Sequence, residues 1–286
     1  MKPQMRRIGI ALTLAGAALA ARAECLSDLQ AAAMVANYLV RKPAATPEGL
    51  SGADGACTRA KFNRFLVQQT GAKVAGYKAG LTNPAVQKRF NASEPVWGVV
   101  YQPMLLNDGA VVDAAFGARP VFEADLLVRV SDARINQAST PEQVLRYIDQ
   151  VIPAFDLPDL VVEAPSKLNG AGVTAINVGA RYFVMGKPFA VQRTPAFLDA
   201  LADMKVTLKA GGQEMDAGAG RDVLGHPLNA VVWLAQDLHK HGMALKKGDL
   251  VSVGSFSKLH PPKAGQKIEA LYQGLPGNPT VSVSFR

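Results

Sequence analysis

Three acids in this chain are placed where they could hold a divalent cation. Glu123 and Asp125 lie in Pro120-Val-Phe-Glu-Ala-Asp-Leu-Leu-Val-Arg-Val130, and Asp156 lies in Ala154-Phe-Asp-Leu157. The first pair sits in an apolar, β-prone run. Side chains at i and i+2 of a strand project from the same face. Glu123 and Asp125 therefore share a face, with Phe122, Ala124 and Leu126 on the opposite one. Two carboxylates on a half-buried face repel each other unless positive charge lies between them. Hard ions such as Mg²⁺ are held by one or a few carboxylates plus substrate oxygens and water. The chemistry on offer is a cation that polarises an oxygen-bearing substrate. Spacing alone does not require it, because an E-x-D in a strand is ordinarily a solvated face.

The other reactive residue types give weaker signals. His226 precedes Pro227 at a helix start, where capping or packing is the simpler role. His239 and His241 fit a solvated helix end, and His260 lies in a Pro-rich loop. Gly218-Ala-Gly220 lacks the third glycine and the preceding strand of a dinucleotide site. Ser255 is not in a G-x-S-x-G elbow. The two cysteines, Cys25 and Cys57, exclude a CxxC redox motif or a Cys-rich zinc site. In an exported chain such a pair bridges, so a Cys25–Cys57 disulfide is expected.

Export is what the N-terminus predicts. Lys2, Arg6 and Arg7 precede an apolar Ile8–Ala21 stretch, and Ala21-Arg22-Ala23 offers a small-x-small cleavage site. The stretch is too short for a comfortable transmembrane span, so a signal peptide over 1–23 and a periplasmic or secreted product are expected, with no membrane association after cleavage. The leader holds four of the basic residues and no acid, so its loss lowers the formal charge from +8 to +4. That charge, with no aromatics interleaved among basic runs, argues against nucleic acid as a partner.

The elements that must position the acids are mixed. Ser27–Val40 and Thr58–Gln69 read as helices and form a small N-terminal helical region over 24–73. From Val74 onward short apolar runs at 74–78, 97–101, 110–112 and 121–130 read as strands. Thr140-Pro-Glu-Gln143 starts a helix expected to run to about Ile152. A further helix begins at Gly225-His-Pro-Leu228 and ends at Gly242, and the tail from Asp249 is strand-rich. The fold class is α+β, without the regular βαβ alternation of a doubly wound sheet.

Several segments carry a resemblance. Gly76-Tyr-Lys-Ala-Gly-Leu-Thr82, followed by Pro84-Ala-Val-Gln87, resembles the G-x-K-x-G-L-T…VQ segment of the 2-keto-4-pentenoate hydratases. Glu123-Ala-Asp125 is similar to their E-A-E. Leu224-Gly-His-Pro-Leu-Asn-Ala-Val-Val-Trp-Leu-Ala235 is similar to their L-G-H-P-L-N-A-x-x-W-L-A. Lys247-Gly-Asp-Leu-Val251, Gly254-Ser255 and Ala264-Gly265 follow in the usual order. These hydratases belong to the fumarylacetoacetate hydrolase superfamily. The resemblance implies a β-rich mixed-sheet catalytic domain over 74–286.

It also implies a site. Mg²⁺ or Mn²⁺ would be held by Glu123, Asp125 and Asp156 and would chelate a small-molecule 2-keto acid. Lys78 matches the active-site lysine, which clamps the substrate carboxylate or moves a proton. Lys78, Leu81, Asn177 and Ser255 would contact substrate, although Ser255 reads equally as a strand-end cap. A homo-oligomer is implied by the family alone. Two of the three family glutamates are aspartates here, at 125 and 156. Pro103 stands where the family carries a proton-transfer acid, beside Gln102. Ile176-Asn-Val-Gly-Ala-Arg181 keeps Asn177 but loses the small hydroxyl or thiol positions. The expected activity is a metal-dependent hydratase. The alternatives are a decarboxylase or acylpyruvate hydrolase sharing the metal-enolate step, or an exported relative that binds a keto acid without turning it over.

Overall fold

The computed structural model describes residues 24–286; the predicted leader lies outside them. Helix α1 (Asp28–Leu39) starts on a capping box in which Ser27 and Gln30 exchange side-chain-to-backbone hydrogen bonds. Its buried residues Ala31, Met34, Val35 and Tyr38 follow helical spacing, which leaves Leu29 81 % exposed. Helix α2 (Gly52–Thr70) begins six residues earlier than its apolar pattern suggests. Gly52 and Gly55 hide that first turn, and Gly55 is required because the backbone of Ala171 passes where a Cβ would stand. Met34, Val35, Tyr38, Phe62 and Leu66 of these helices join the same apolar core as the sheets.

The expected disulfide is present. Cys25 and Cys57 are bonded with their Cα atoms 5.7 Å apart, tying the segment before α1 to α2 across a separation of 32 residues. Closing a loop of that size contributes on the order of 3–4 kcal/mol by restricting the unfolded chain. Reduction, or a Cys25→Ser/Cys57→Ser double variant, should lower the unfolding free energy by about that amount in denaturant titrations. Unchanged midpoints would show that the bridge is dispensable.

The chain then builds two sheets. It runs through β1 (Val74–Gly80), α3 (Pro84–Arg89), β2 (Val96–Tyr101), β3 (Leu105–Asn107), β4 (Ala110–Val112) and β5 (Glu123–Val130). Next come α4 (Pro141–Arg146), β6 (Ile148–Leu157), α5 (Gly170–Ala175), β7 (Tyr182–Met185), β8 (Phe189–Ala190) and α6 (Pro195–Asp203). The last elements are β9 (Lys205–Ala210), β10 (Gln213–Ala219), α7 (Pro227–Lys240), β11 (Leu250–Ser252), β12 (Lys267–Gln273) and β13 (Thr280–Phe285). The larger sheet has the order β2-β1-β11-β5-β6-β7-β3, with β8 also paired to β6. The smaller has the order β10-β9-β12-β13-β4. The sheets share a core, where Phe122, just before β5, meets Phe155 of the first sheet and Phe285 of the second. Among the described residues no helix is long and apolar enough to cross a membrane.

One expected element is corrected. The helix starting at Thr140 stops at Arg146 rather than running to about Ile152, and Ile148–Leu157 is a central strand. The local start signal is real, because Thr140 caps the helix at Gln143. What overrides it is burial: β6 is sandwiched between β5 and β7, and Ile148, Val151 and Phe155 are fully buried there. Pro153 is tolerated at mid-strand because it lies where the neighbour changes from β8, which pairs Gln150 and Val151, to β7, which pairs Ala154 onward.

Candidate active site

The acids converge because of strand register. β5 and β6 are antiparallel, with Glu123 opposite Asp156 and Asp125 opposite Ala154. All three carboxylates thus leave one face of the sheet, Asp156 beside Glu123 and diagonal to Asp125. The same face carries Ser252 of β11, Lys78 of β1 and, opposite Asp156, Phe183 of β7. Lys78 Nζ donates to Asp156 Oδ2 over the intervening strands, with its charge 5.6 Å from the Phe183 ring centroid.

This cluster is out of water and short of positive charge. Asp125 and Asp156 are wholly buried, Lys78 is 2 % exposed and Glu123 is partly buried. Burial, then the charge of Asp156, pushes Glu123 up to about 8, with the Ser255 hydroxyl beside it pulling the other way. The same two causes push Asp125 up to about 7, against hydrogen bonds from Ser252 and the Leu126 N–H. Burial also raises Asp156, opposed by Lys78. Asp156 Oδ1 is buried with no hydrogen-bond partner.

Among the described residues no group of three His, Cys, Asp or Glu side chains stands open as a ready cation cage. The carboxylates are turned to protein donors instead. Lys78 takes one Asp156 oxygen. Asp125 accepts from the Ser252 hydroxyl at 2.5 Å and from the N–H groups of Leu126 and Gly254 at 2.6 and 3.2 Å. The donor set still fits a hard divalent ion: three carboxylates share one ammonium, and one carboxylate oxygen has no partner at all.

The raised carboxylates predict an unusual pH dependence. In the unfolded chain Asp125 and Glu123 titrate at 3.8 and 4.5, whereas in the fold they hold protons up to about 7 and about 8. Between those limits the folded state binds more protons than the unfolded one, so stability falls as pH rises. Cation-free protein should therefore melt at a lower temperature near pH 8 than near pH 5, and Mg²⁺ should restore the loss mainly at the higher pH. Thermal melts with chelator or Mg²⁺ at both pH values check this; a melting temperature that climbs with pH in chelator overturns it.

The remaining predicted residues are placed as follows. Ser255 Oγ donates to the Ser257 carbonyl at 2.7 Å and lies beside Glu123, so it both shapes the strand end and touches the cluster. Leu81 follows β1 with a left-handed φ of 54°, and its carbonyl accepts from Gln87 Nε2. The Asn177 amide is committed to Val99 N–H, Val99 C=O and Asn63. Its backbone carbonyl fills the space above Gly98, which pairs with Lys78, so its turn packs on the same face as the lysine. Gln102 and Pro103 are exposed on a turn and supply no titratable group. His226 is a helix cap: Nδ1 accepts from the Leu228 N–H at 3.0 Å, and burial holds its pKa below the usual range.

Sequence reasoning missed Ser252 and Tyr272, and took Gly254 only as part of a motif. Gly254 has φ +102°, and any side chain there would run into Thr82. Its glycine signal was legible, but its N–H contact to Asp125 was not. Tyr272 comes from the second sheet and donates its hydroxyl to the carbonyls of Asp125 at 2.5 Å and Ala154 at 2.9 Å. It pins β5 to β6 at the level of the acids, and no local pattern announces it.

The family model described as "Fumarylacetoacetate (FAA) hydrolase C-terminal" matches residues 76–278. A 2-hydroxyhexa-2,4-dienoate hydratase of Comamonas testosteroni is 32% identical over 223 residues, 77% of this chain and 81% of that protein. The 2-keto-4-pentenoate hydratase 2 of Dechloromonas aromatica (strain RCB) is 28% identical over 72% of this chain and 76% of its own length. Among solved structures, the 4-oxalocrotonate decarboxylase from Pseudomonas putida G7, complexed with magnesium and adipate, superposes with a TM-score of 0.79 at 26% identity. That match covers 92% of this chain and 100% of the other.

Proposed function

The chain belongs to the fumarylacetoacetate hydrolase family, and we propose that it is a divalent-cation-dependent lyase acting on a 2-keto acid, a hydratase of the 2-keto-4-pentenoate type. Its similarity to such hydratases and to a decarboxylase supports an enzyme of this group. The single observation that carries the reading is the charge imbalance of the buried cluster: Glu123, Asp125 and Asp156 on one sheet face, with Lys78 alone against them. Glu123, Asp125 and Asp156 would hold Mg²⁺ or Mn²⁺, which supplies Lewis-acid polarisation of the 2-oxo and carboxylate groups. Related structures containing magnesium or calcium support a divalent ion.

The chain's own residues then do the rest. Lys78, released from Asp156, is the group able to meet a substrate carboxylate or carry a proton. Phe183 closes one side of the lysine and keeps water from it. Ser255 orients Glu123, and Ser252 with the Gly254 N–H fixes Asp125. No acid stands at Pro103, so proton transfer in this chain falls to Lys78. Export to an oxidising compartment is part of the same proposal and is supported by the disulfide.

The test is calorimetric titration of Mg²⁺ and Mn²⁺ into chelator-stripped protein with oxalate as an enolate mimic, followed by an ultraviolet assay with 2-hydroxypentadienoate. Binding plus loss of the dienoate absorbance is the expected result. Release of CO₂ from 4-oxalocrotonate instead assigns the decarboxylase. Cation binding without any turnover leaves a keto-acid binder, and no cation binding removes the proposal.

A further inference from the structure

A second polar site lies at the outer edge of the larger sheet. β2 is the edge strand, and β1 and β11 separate it from β5 and the acids. At about 4.8 Å per strand this places the edge on the order of 15 Å from the cluster. A cavity of about 510 Å³ opens there between the start of α2, α5 and the residues leading into β2. Leu50, Ala56 and Ala171 form part of its apolar wall, and Arg59, Trp97 and Asp237 line it as well.

Arg59 is the unexplained group. It is only 4 % exposed, and buried arginines are normally met by a carboxylate. Among the described residues Arg59 forms no ion pair; its one hydrogen bond runs from Nη1 to the Trp97 carbonyl at 2.9 Å. The guanidinium lies 3.2 Å from the Trp97 ring centroid, so one of its faces is covered by the indole. Among the described residues Nε and Nη2 form no hydrogen bond, and Arg59 lines the cavity. Asp237 is near but engaged elsewhere, accepting from the Trp97 indole N–H at 2.8 Å and from Lys240 Nζ at 3.1 Å. Burial draws the Arg59 pKa down to about 10, with the charge of Asp237 opposing it.

We infer that this cavity is a binding site for a short monocarboxylic acid, whose carboxylate meets the free fork of Arg59 and whose hydrocarbon chain lies against Ala56 and Ala171. The planar fork matches a carboxylate edge to edge. Glu94 and Asp237 also border the cavity, which disfavours a multiply charged anion such as phosphate. The cavity volume, in the range of drug-sized ligands, admits a short acid with room to spare. The site is distinct in position and chemistry from the acid cluster, and the inference does not depend on the activity proposed there.

The test uses the full chain stripped of metal, with butanoate as the probe because it lacks the 2-oxo group. Saturation-transfer NMR and calorimetry should show butanoate binding to the parent protein and, with equal affinity, to Asp156→Asn protein. Arg59→Met should weaken it about tenfold or more, the loss of a charge-assisted pair. Should that variant fail to fold, Ala56→Leu keeps the guanidinium and crowds the cavity wall one helical turn from Arg59; it should weaken butanoate binding several-fold without shifting the melting temperature. Absence of butanoate binding, binding indifferent to both variants, binding lost with Asp156→Asn, or displacement by equimolar phosphate would each overturn the assignment.

Discussion

Lys78→Met protein should bind Mg²⁺ about tenfold or more tightly than the parent chain while losing its turnover. Among the described residues Lys78 is the sole cation paired into the cluster, and it occupies Asp156, which the incoming ion on the proposed reading also needs. Any divalent ion must first detach a buried ammonium from a buried carboxylate, and then work beside its positive charge. Removing the lysine removes both costs. The cation-free variant then leaves the Asp156 carboxylate buried without its ammonium, a loss of roughly 3–5 kcal/mol by analogy with breaking one side of a buried pair. Melting temperatures in chelator should therefore collapse and recover in Mg²⁺ by a larger margin than in the parent. Turnover should drop about 10²- to 10⁴-fold, the usual contribution of a positioned proton-transfer group. Calorimetry, paired melts and the dienoate assay read the three effects separately. Weaker Mg²⁺ binding in the variant would mean that Lys78 organises the cation site rather than competing for it.

How much of this was legible in the chain depends on the distance over which each contact acts. The strand carrying Glu123 and Asp125 is visible locally, because alternation and β-branched content agree with where β5 finally sits, at 123–130. The helix caps at Ser27, Thr140 and His226 are visible for the same reason: each is a contact within a few residues. β6 is not visible, since its cap signal upstream and Pro153 within it both argue against a strand, and only burial between β5 and β7 decides the matter. The pairing of Lys78 with Asp156 spans 78 residues and crosses two strands, so no periodicity encodes it. Family resemblance brought both residues forward, but not their mutual bond. Ser252 and Tyr272 had no such help: each acts on Asp125 or its backbone from more than a hundred residues away.

The two aspartates that depart from the family's glutamates also become interpretable. Asp125 is met at short range by the Ser252 hydroxyl and two backbone N–H groups in a space with no exposed surface. A side chain one methylene longer would push its carboxylate into Ser252, an overpacking cost of roughly 1–3 kcal/mol. The shorter acid is thus fitted to its own surroundings. On the proposed cation reading Asp156 ranks first among the three acids, because its buried Oδ1 has no partner.

That ranking makes Asp156→Asn the sharpest test of the cluster. The change is nearly isosteric, so the β5–β6 register and Phe155 packing should survive. It nonetheless removes the charge that most raises Glu123 and Asp125 after burial itself. Both acids should then titrate lower in the folded protein, nearer their ordinary values. With less excess proton binding in the fold, the fall of stability between about pH 5 and pH 8 should flatten. Lys78 loses its direct partner but still faces the charges of Glu123 and Asp125, which limits the destabilisation. Cation binding has no such fallback: one carboxylate oxygen becomes an amide nitrogen, and the remaining two acids are partly engaged by Ser255, Ser252 and the Gly254 N–H. Mg²⁺ affinity should fall about a hundredfold or more, well beyond the loss of a single charge-assisted contact in a solvated site. If the variant keeps both its Mg²⁺ affinity and its downward pH slope, the three acids do not act as one electrostatic unit, and the cation, if bound, is held elsewhere in the chain.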